Sequence, residues 1–334
     1  MKWALIGAST IAEEHMIPAI RAQEGNTISV LVSTSANHAH IYAKAQGVAA
    51  ISTDLQAALK QHAVDAVYIS STNEKHFPQA MSAITAGVHV LCEKPLAMTV
   101  GDATTMVMAA RAVGVVFATN HHLRCAGSHR TVRQLVTDGK IGKVLSMRIF
   151  HAVHLPAKLR GWRINSAAAG GGVVADIGVH NLDTARFILG EDPISVMAQT
   201  GTSGMGQGVE DSAMSIWSMP SGTMVMSHES FTHPFAGSGL EIHGTNGSIF
   251  ARDVMTQKPL GSIELRTETG CENVPFSDHD LYVEGVRMFV SAVRKTGDPA
   301  ANGWDGVKSL AFAHAALVSA REERRVTVDY GVTG

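Results

Sequence analysis

Two short constellations in this 334-residue chain carry side chains able to move a proton or steady a developing negative charge. The first is Glu93-Lys94-Pro95, directly after an apolar run over 88–91. In an open α/β sheet ligands bind beyond the carboxyl ends of the strands, so a lysine there lies where a reacting group would sit. Pro95 restricts the residue before it and so the direction of that lysine. The second is Gly170-Gly171-Gly172 leading through Asp176 to His180. On a helix two residues four apart share a face, and a carboxylate beside an imidazole orients the ring and favours its protonated form, which suits a proton donor near neutral pH. On spacing alone, a solvated loop lysine and a surface Asp–His pair stay open as alternatives.

A third constellation is the turn Gly7-Ala8-Ser9-Thr10-Ile11-Ala12 after the apolar run that opens the chain. It has the layout of a dinucleotide-binding βαβ unit, with Gly7 at the tight turn, Ser9 where backbone normally approaches a pyrophosphate, and Ala12 where a small residue lets helix and strand pack. Gly7, Ser9, Thr10, Ile11 and Ala12 are the candidate phosphate contacts, the Ser9 hydroxyl and the N–H groups of the helix start being donors for phosphate oxygens. The next apolar run ends at Ser33, where an NAD site places an acidic residue. Ser33, Thr34, Ser35 and His38 instead offer three hydroxyls and an imidazole with no carboxylate to repel a 2′-phosphate. This favours NADP, although no arginine is present for a bidentate contact.

These residues need elements to hold them. Up to residue 120, apolar runs at 2–7, 28–33, 66–70, 88–91 and 115–119 alternate with helical patterns near 11–23, 36–46, 54–61, 75–86 and 99–113. That alternation predicts an α/β class with an N-terminal Rossmann domain over 1–120. From 121 to 334 longer alternating runs, at 143–154, 193–202, 209–219, 222–231, 239–243, 247–251 and 261–267, predict a C-terminal α/β domain built on a large, mostly antiparallel open sheet. Helices near 128–138, 176–189, 279–295 and 303–320 would cover one face, and the bare face is expected to receive cofactor and substrate. The C-terminal helix is expected to pack back on the first domain.

Composition agrees with two domains: the chain exceeds the length at which one core stops growing, and 45% of it is hydrophobic. A net charge of −2 gives no reason to expect nucleic acid or a membrane surface as partner. Cys92, Cys125 and Cys271 show no paired spacing, which points to a reducing, cytoplasmic setting. The apolar start is too short and too soon followed by Glu13-Glu14 to read as a signal peptide, and no run reaches the ~20 apolar residues of a membrane helix. No metal is expected, since neither His121-His122 nor the pair His151 and His154 has a carboxylate or thiol at a ligating spacing.

The Gly7 turn, Ser71-Thr72-Asn73 with His76, Glu93-Lys94-Pro95, Asn120-His121 and the glycine-led Asp176/His180 segment, in this order, resemble the glucose-fructose oxidoreductase/inositol dehydrogenase (Gfo/Idh/MocA) family. The likeness runs from residue 1 to about 320. Longer strings, Cys92–Thr99, Asn120–Arg124, Gly161–Arg163 and Val254–Pro259, resemble a branch that reduces a cyclic keto sugar with NADPH, from which His38 departs by standing where that branch has an arginine. The resemblance implies NADP(H) as cofactor, contacted also by Ser71, Thr72, Asn73, His76, Glu93, Lys94, Asn120, Trp162 and Arg163. It implies a small keto-sugar substrate held by Lys94, His151, Arg163, Asp176 and His180, with hydride delivered to a C2 ketone, Lys94 polarising the carbonyl, His180 giving the proton and Asp176 orienting it. A sugar or inositol dehydrogenase and a non-catalytic NADP-binding regulator are the alternatives within the family. A monomer and a homo-oligomer formed through the open sheet are both compatible with the sequence.

Overall fold

The structure, a computed structural model, describes residues 1–331. The chain forms two units, one of Met1–His122 with Tyr282–Val307, the other of Leu123–Leu281 with Lys308 onward. The expected second domain over 121–334 is therefore interrupted: the segment 282–307, which holds the helix Leu281–Val293 and the first turn of the C-terminal helix Gly303–Glu322, joins the first unit.

The first unit holds β1 (Lys2–Ile6), β2 (Thr27–Val32), β3 (Ala50–Ser52), β4 (Ala66–Ile69), β5 (His89–Cys92) and β6 (Phe117–Thr119), in the order β3-β2-β1-β4-β5-β6. Every pair is parallel. A parallel sheet is covered on both faces, which is why β1 and β4 read as unbroken apolar runs and why Trp3, Leu5, Val67 and Tyr68 have no exposed surface. The strand order reverses between β1 and β4, and a crevice opens there at the carboxyl ends. Helix starts are set by side chains: Ser35, Asp54 and Thr99 accept from backbone N–H groups at Ala36–Gln46, Leu55–Gln61 and Val100–Val113. The helix expected at 11–23 is instead a wide π turn, Ala12–Met16, followed by a short α-helix, Ile17–Arg21. Pro18 brings no N–H, and the register widens just before it.

The second unit is built on β7 (Val144–Ala152), β8 (Ser195–Gly201), β9 (Ser212–Ser218), β10 (Met224–Ser230), β11 (Ser238–Gly244), β12 (Gly247–Arg252), β13 (Ser262–Thr267), β14 (Gly270–Asn273) and β15 (Val326–Thr327). Their order is β14-β13-β12-β11-β7-β10-β9-β8-β15, and only β7 and β10 run parallel. Alternation separates the faces. Met147, Ile149, Trp217, Val225 and Leu240 are buried on the side of helices Gly127–Thr137 and Val179–Leu189, whereas Met197, Met214, Ile216, Met224 and Met226 are exposed on the other. His151 shares the parity of Met147 and Ile149. It therefore lies on the helix-covered side, so two expectations from the sequence, His151 in the substrate site and a substrate on the bare face, do not go together. Among the described residues no helix is long and apolar enough to cross a membrane.

The turn after β1 depends on one residue. Gly7 has φ +105°, and a Cβ there would stand 2.9 Å from the Ser71 backbone nitrogen. Gly7→Ala is expected to lower stability by about 2 kcal/mol or more through strain and contact. Urea unfolding of the purified variant checks this, and an unchanged midpoint would mean that the turn relaxes freely.

Candidate functional site

In the first unit the Gly7 turn is tied from several sides. The Gly7 N–H donates to Val32 O at the end of β2 (2.9 Å), and Tyr42 Oη donates to Ser9 O (2.9 Å). Ser9 Oγ accepts from the Ala12 N–H (3.2 Å) and donates to Ser70 Oγ (2.7 Å). The serine in the second glycine position thus caps its own turn and links it to the end of β4, so its hydroxyl proton is used within the protein. Thr10 and Ile11 follow, half-buried, at the helix start. Past β2, Ser33 is half-buried and Thr34 and His38 are exposed. Ser35 Oγ caps the helix through the His38 N–H, and His38 Nε2 lies 3.4 Å from Ala8 O, which brings this loop back to the Gly7 turn. The space between holds backbone amides, hydroxyls and one imidazole and no carboxylate, a donor set that fits a phosphate-bearing dinucleotide.

At the ends of β4 and β5 two backbone segments are joined by one ring. His76 is fully buried, with Nδ1 2.9 Å from Pro95 O and Nε2 3.1 Å from Ser71 O. Burial lowers its pKa while the two carbonyls oppose the shift. His76 therefore positions these turns rather than facing a ligand. Ser71 Oγ donates to Gln79 Oε1 (2.6 Å), Thr72 Oγ1 to Glu74 Oε1 (2.7 Å), and Asn73 is buried at the start of a short 3₁₀ turn. Glu93 accepts from Tyr68 Oη and Asn120 Nδ2, each at 2.6 Å; burial raises its carboxyl against those donations. Lys94 follows, half-buried, with a cis bond to Pro95.

In the second unit the triple glycine is a packing device. A Cβ on Gly171 would meet Trp162 O at 2.5 Å, and one on Gly172, φ +118°, would meet Glu210 Oε1 at 2.3 Å. Asp176 and His180 do not share one α-helix as expected: Asp176 sits in a π turn, Val174–Gly178, and His180 in the α-helix Val179–Leu189 that continues it. Asp176 Oδ2 lies 3.4 Å from Arg163 Nε, and the Arg163 guanidinium stands 4.6 Å over the Trp162 ring. His151 is half-buried on β7. Among the described residues no group of three or more His, Cys, Asp or Glu is placed to hold a metal ion.

Several residues of this region carry no motif. Tyr42 and Tyr68 hold the dinucleotide turns as above. Glu210 Oε1 accepts from the Val174 N–H (3.1 Å), and burial raises its carboxyl. Glu229, on β10, accepts from Ser227 Oγ (2.6 Å) and Asn181 Nδ2 (3.2 Å). Burial pushes Glu229 up to about 7 against those two donations, with Glu210 adding repulsion.

A doubly wound parallel sheet with this turn, followed by a large antiparallel sheet, defines an oxidoreductase of the NAD(P)-linked class. Residues 1–121 match the oxidoreductase family with an NAD-binding Rossmann fold, and residues 129–250 match the Gfo/Idh/MocA C-terminal domain. The 1,5-anhydro-D-fructose reductase of Ensifer adhaerens is 46% identical over 332 residues, 99% of each chain. The inositol 2-dehydrogenase of Rhizobium meliloti is 26% identical over 342 residues, 98% of this chain and 99% of its own. The crystal structure of an aldose-aldose oxidoreductase from Caulobacter crescentus, complexed with glycerol, covers 98% of this chain and 99% of its own with a TM-score of 0.89 at 25% identity. The chain belongs to the Gfo/Idh/MocA family of oxidoreductases.

The Glu229 shift has a direction that stability measurements can read. Its folded pKa, about 7, lies above the ordinary 4.5, so the neutral carboxyl is favoured on folding and that contribution is lost as pH rises from about 4.5 through 7. Glu229→Gln, which removes the ionisation, is expected to gain stability over the wild type across this window by an amount on the order of 3 kcal/mol. Parallel thermal unfolding at pH 5, 6, 7 and 8 tests it; a difference that is flat with pH rules out the raised carboxyl.

Proposed function

We propose that this oxidoreductase reduces the C2 ketone of 1,5-anhydro-D-fructose with NADPH, forming 1,5-anhydro-D-mannitol. The observation that carries the reading is the 46% identity, over 99% of each chain, with the Ensifer reductase. The bound dinucleotide supplies the hydride. The rest is geometry and charge from the protein. Lys94 places an ammonium at the ketone oxygen and steadies the alkoxide as it forms, an effect typically worth a few kcal/mol in a water-poor site. His180 donates the proton that completes the hydroxyl. Asp176, anchored by Arg163, orients His180 or accepts from a neighbouring sugar hydroxyl; His151 and Trp162 complete the substrate wall. A site that hydrogen-bonds substrate hydroxyls discriminates against analogues lacking them, because its own polar groups are then left unpaired.

The preference for NADPH follows from the end of β2, where Ser33, Thr34 and His38 put no negative charge beside a 2′-phosphate. Initial rates with a panel of dicarbonyl and keto sugars, each with NADPH and NADH, test substrate and cofactor together. The expected outcome is highest kcat/KM for 1,5-anhydro-D-fructose with NADPH and the mannitol epimer by NMR. Higher efficiency with NADH would overturn the cofactor assignment, and failure to reduce this ketose would overturn the substrate.

Binding and chemistry separate at two residues. Lys94→Ala and His180→Ala are each expected to lower kcat/KM by about a hundredfold to ten-thousandfold. NADPH affinity, followed by fluorescence titration, should change far less. Near-normal turnover in either variant removes that residue from the mechanism.

A further inference from the structure

Alternation along β10 turns Val225, Ser227 and Glu229 to the helix-covered face of the second sheet and Met224, Met226 and His228 to the other. A glutamate in that row is costly, since an ionised carboxyl loses its hydration there. Glu229 is only 4% exposed. Its donors are Ser227 and Asn181, and Asn181, with no exposed surface, also donates from Nδ2 to Ser227 Oγ (3.0 Å). Asn181 Oδ1 is enclosed and has no hydrogen-bond partner. An apolar pair of similar volume would hold the helix to the sheet at less cost. The arrangement therefore needs a reason other than packing.

That reason lies in what adjoins the carboxyl. Asn181 is the chain neighbour of His180. A Cβ on Gly178 would stand 3.2 Å from Glu229 Oε1, so the carboxyl abuts the last residue of the π turn that carries Asp176. At the other end of the turn, Glu210 accepts from the Val174 N–H through its carboxyl and from the Val173 N–H through its backbone oxygen (3.0 Å). Across the sheet, Glu229 pairs in register with Ala213 on β9 and with His151 on β7. Neighbouring strands lie about 4.8 Å apart, so Glu229 and His151 are side by side on one face.

We propose that Glu229 is a positioning residue for His180: through Asn181 and the Gly178 backbone it fixes the turn that presents Asp176 and His180, and its charge favours the imidazolium that donates the proton. This rests on the role given to His180 above. Of the titratable and charged groups on the elements packed against Glu229, Glu210 from the loop before β9 acts on it directly and His151 pairs with it in register on β7; the π turn carries Asp176, which is paired with Arg163 from the helix over 162–165, and the helix that continues the turn carries His180. Ala213 brings none from β9, and His228 lies on the opposite face of β10. A carboxyl titrating near neutrality can transmit its state to the proton donor in the range where the enzyme works.

Glu229→Gln tests the proposal, since it keeps volume and acceptor while removing charge; Glu229→Asp keeps charge and serves as the second variant if the amide does not fold. Two readouts are needed on the full-length enzyme. One is the His180 titration by NMR of ¹⁵N-labelled histidine, without substrate. The other is kcat and KM for 1,5-anhydro-D-fructose against pH. Glu229→Gln is expected to move the His180 midpoint down by about half a pH unit. It should lower kcat about tenfold with KM little changed and shift the corresponding limb of the kcat profile to lower pH. Glu229→Asp should retain the wild-type His180 midpoint. A His180 titration and a pH profile unaltered in Glu229→Gln, or a midpoint displaced equally in Glu229→Asp, would overturn the proposal. Should the wild-type enzyme leave this ketose unreduced, the substrate reading fails while the NMR titration still decides the role of Glu229.

Discussion

A carboxyl taken out of water must be met by donors or give up its charge, and each unit of this protein holds such a group close in the chain to a residue proposed above for the chemistry. In the first unit it is Glu93, met by Tyr68 and Asn120, and the next residue along the chain is Lys94. In the second it is Glu229, met by Ser227 and Asn181, and Asn181 follows His180. Both residues proposed above for the chemistry are thus chain neighbours of a group in such a network. The consequence is mechanical as well as electrostatic: in each case the residue next to the proposed one has its side chain held in a hydrogen-bonded network, which restrains the local chain.

Much of that fold is legible because burial on both faces forces long apolar runs. β1, β2, β4, β5 and β6 and the helices between them stand out for this reason. β3, β14 and β15 do not, since Ala50–Ser52, Gly270–Asn273 and Val326–Thr327 are too short to establish a period. The two π turns escape as well, because Ala12–Met16 and Val174–Gly178 carry the same apolar spacing that an α-helix would. At the site, Lys94 is visible from its place after an apolar run, and Asp176 with His180 from their spacing. His76 reads as a polar residue near the ligand and proves to be a buried link between Ser71 and Pro95. Glu229 carries a signal that is easily passed over: in Met224-Val225-Met226-Ser227-His228-Glu229 the alternation places a charged residue on the same side as Val225.

Which face of the second sheet the helices cover is a harder inference, and the reason is visible on β9. Its covered side presents Ala213, Ser215 and Trp217, while its bare side presents Met214 and Ile216, 52% and 61% exposed. The bare side is at least as apolar as the covered one over β8 to β10, so hydrophobicity alone does not identify the core face. What identifies it is side-chain size. Small residues at 213, 215 and 227 let helices approach closely, and Trp217 fills the one wide gap, edge-on to Phe312 at 4.7 Å. Further along the same bare face the apolar residues give way to Arg148 and Glu241, paired at 3.1 Å.

On the NADPH reading proposed above, the end of β2 would choose its cofactor by omission. Ser9 commits its hydroxyl proton to Ser70, whereas Ser35 caps its helix as an acceptor and keeps its own O–H. The groups left to meet an anionic ribose substituent are the Ser33, Thr34 and Ser35 hydroxyls, the His38 ring and the start of the helix Ala36–Gln46, whose dipole favours negative charge. Neutral donors contribute about 0.5–1.5 kcal/mol each, against about 1.5–3 for a charged group. On that NADPH reading, selectivity would come less from attraction to the 2′-phosphate than from the absent carboxylate, which in an NAD site would both repel that phosphate and reward the free ribose hydroxyl. On the same reading, such a loop discriminates by degree, because neutral donors attract a phosphate only weakly.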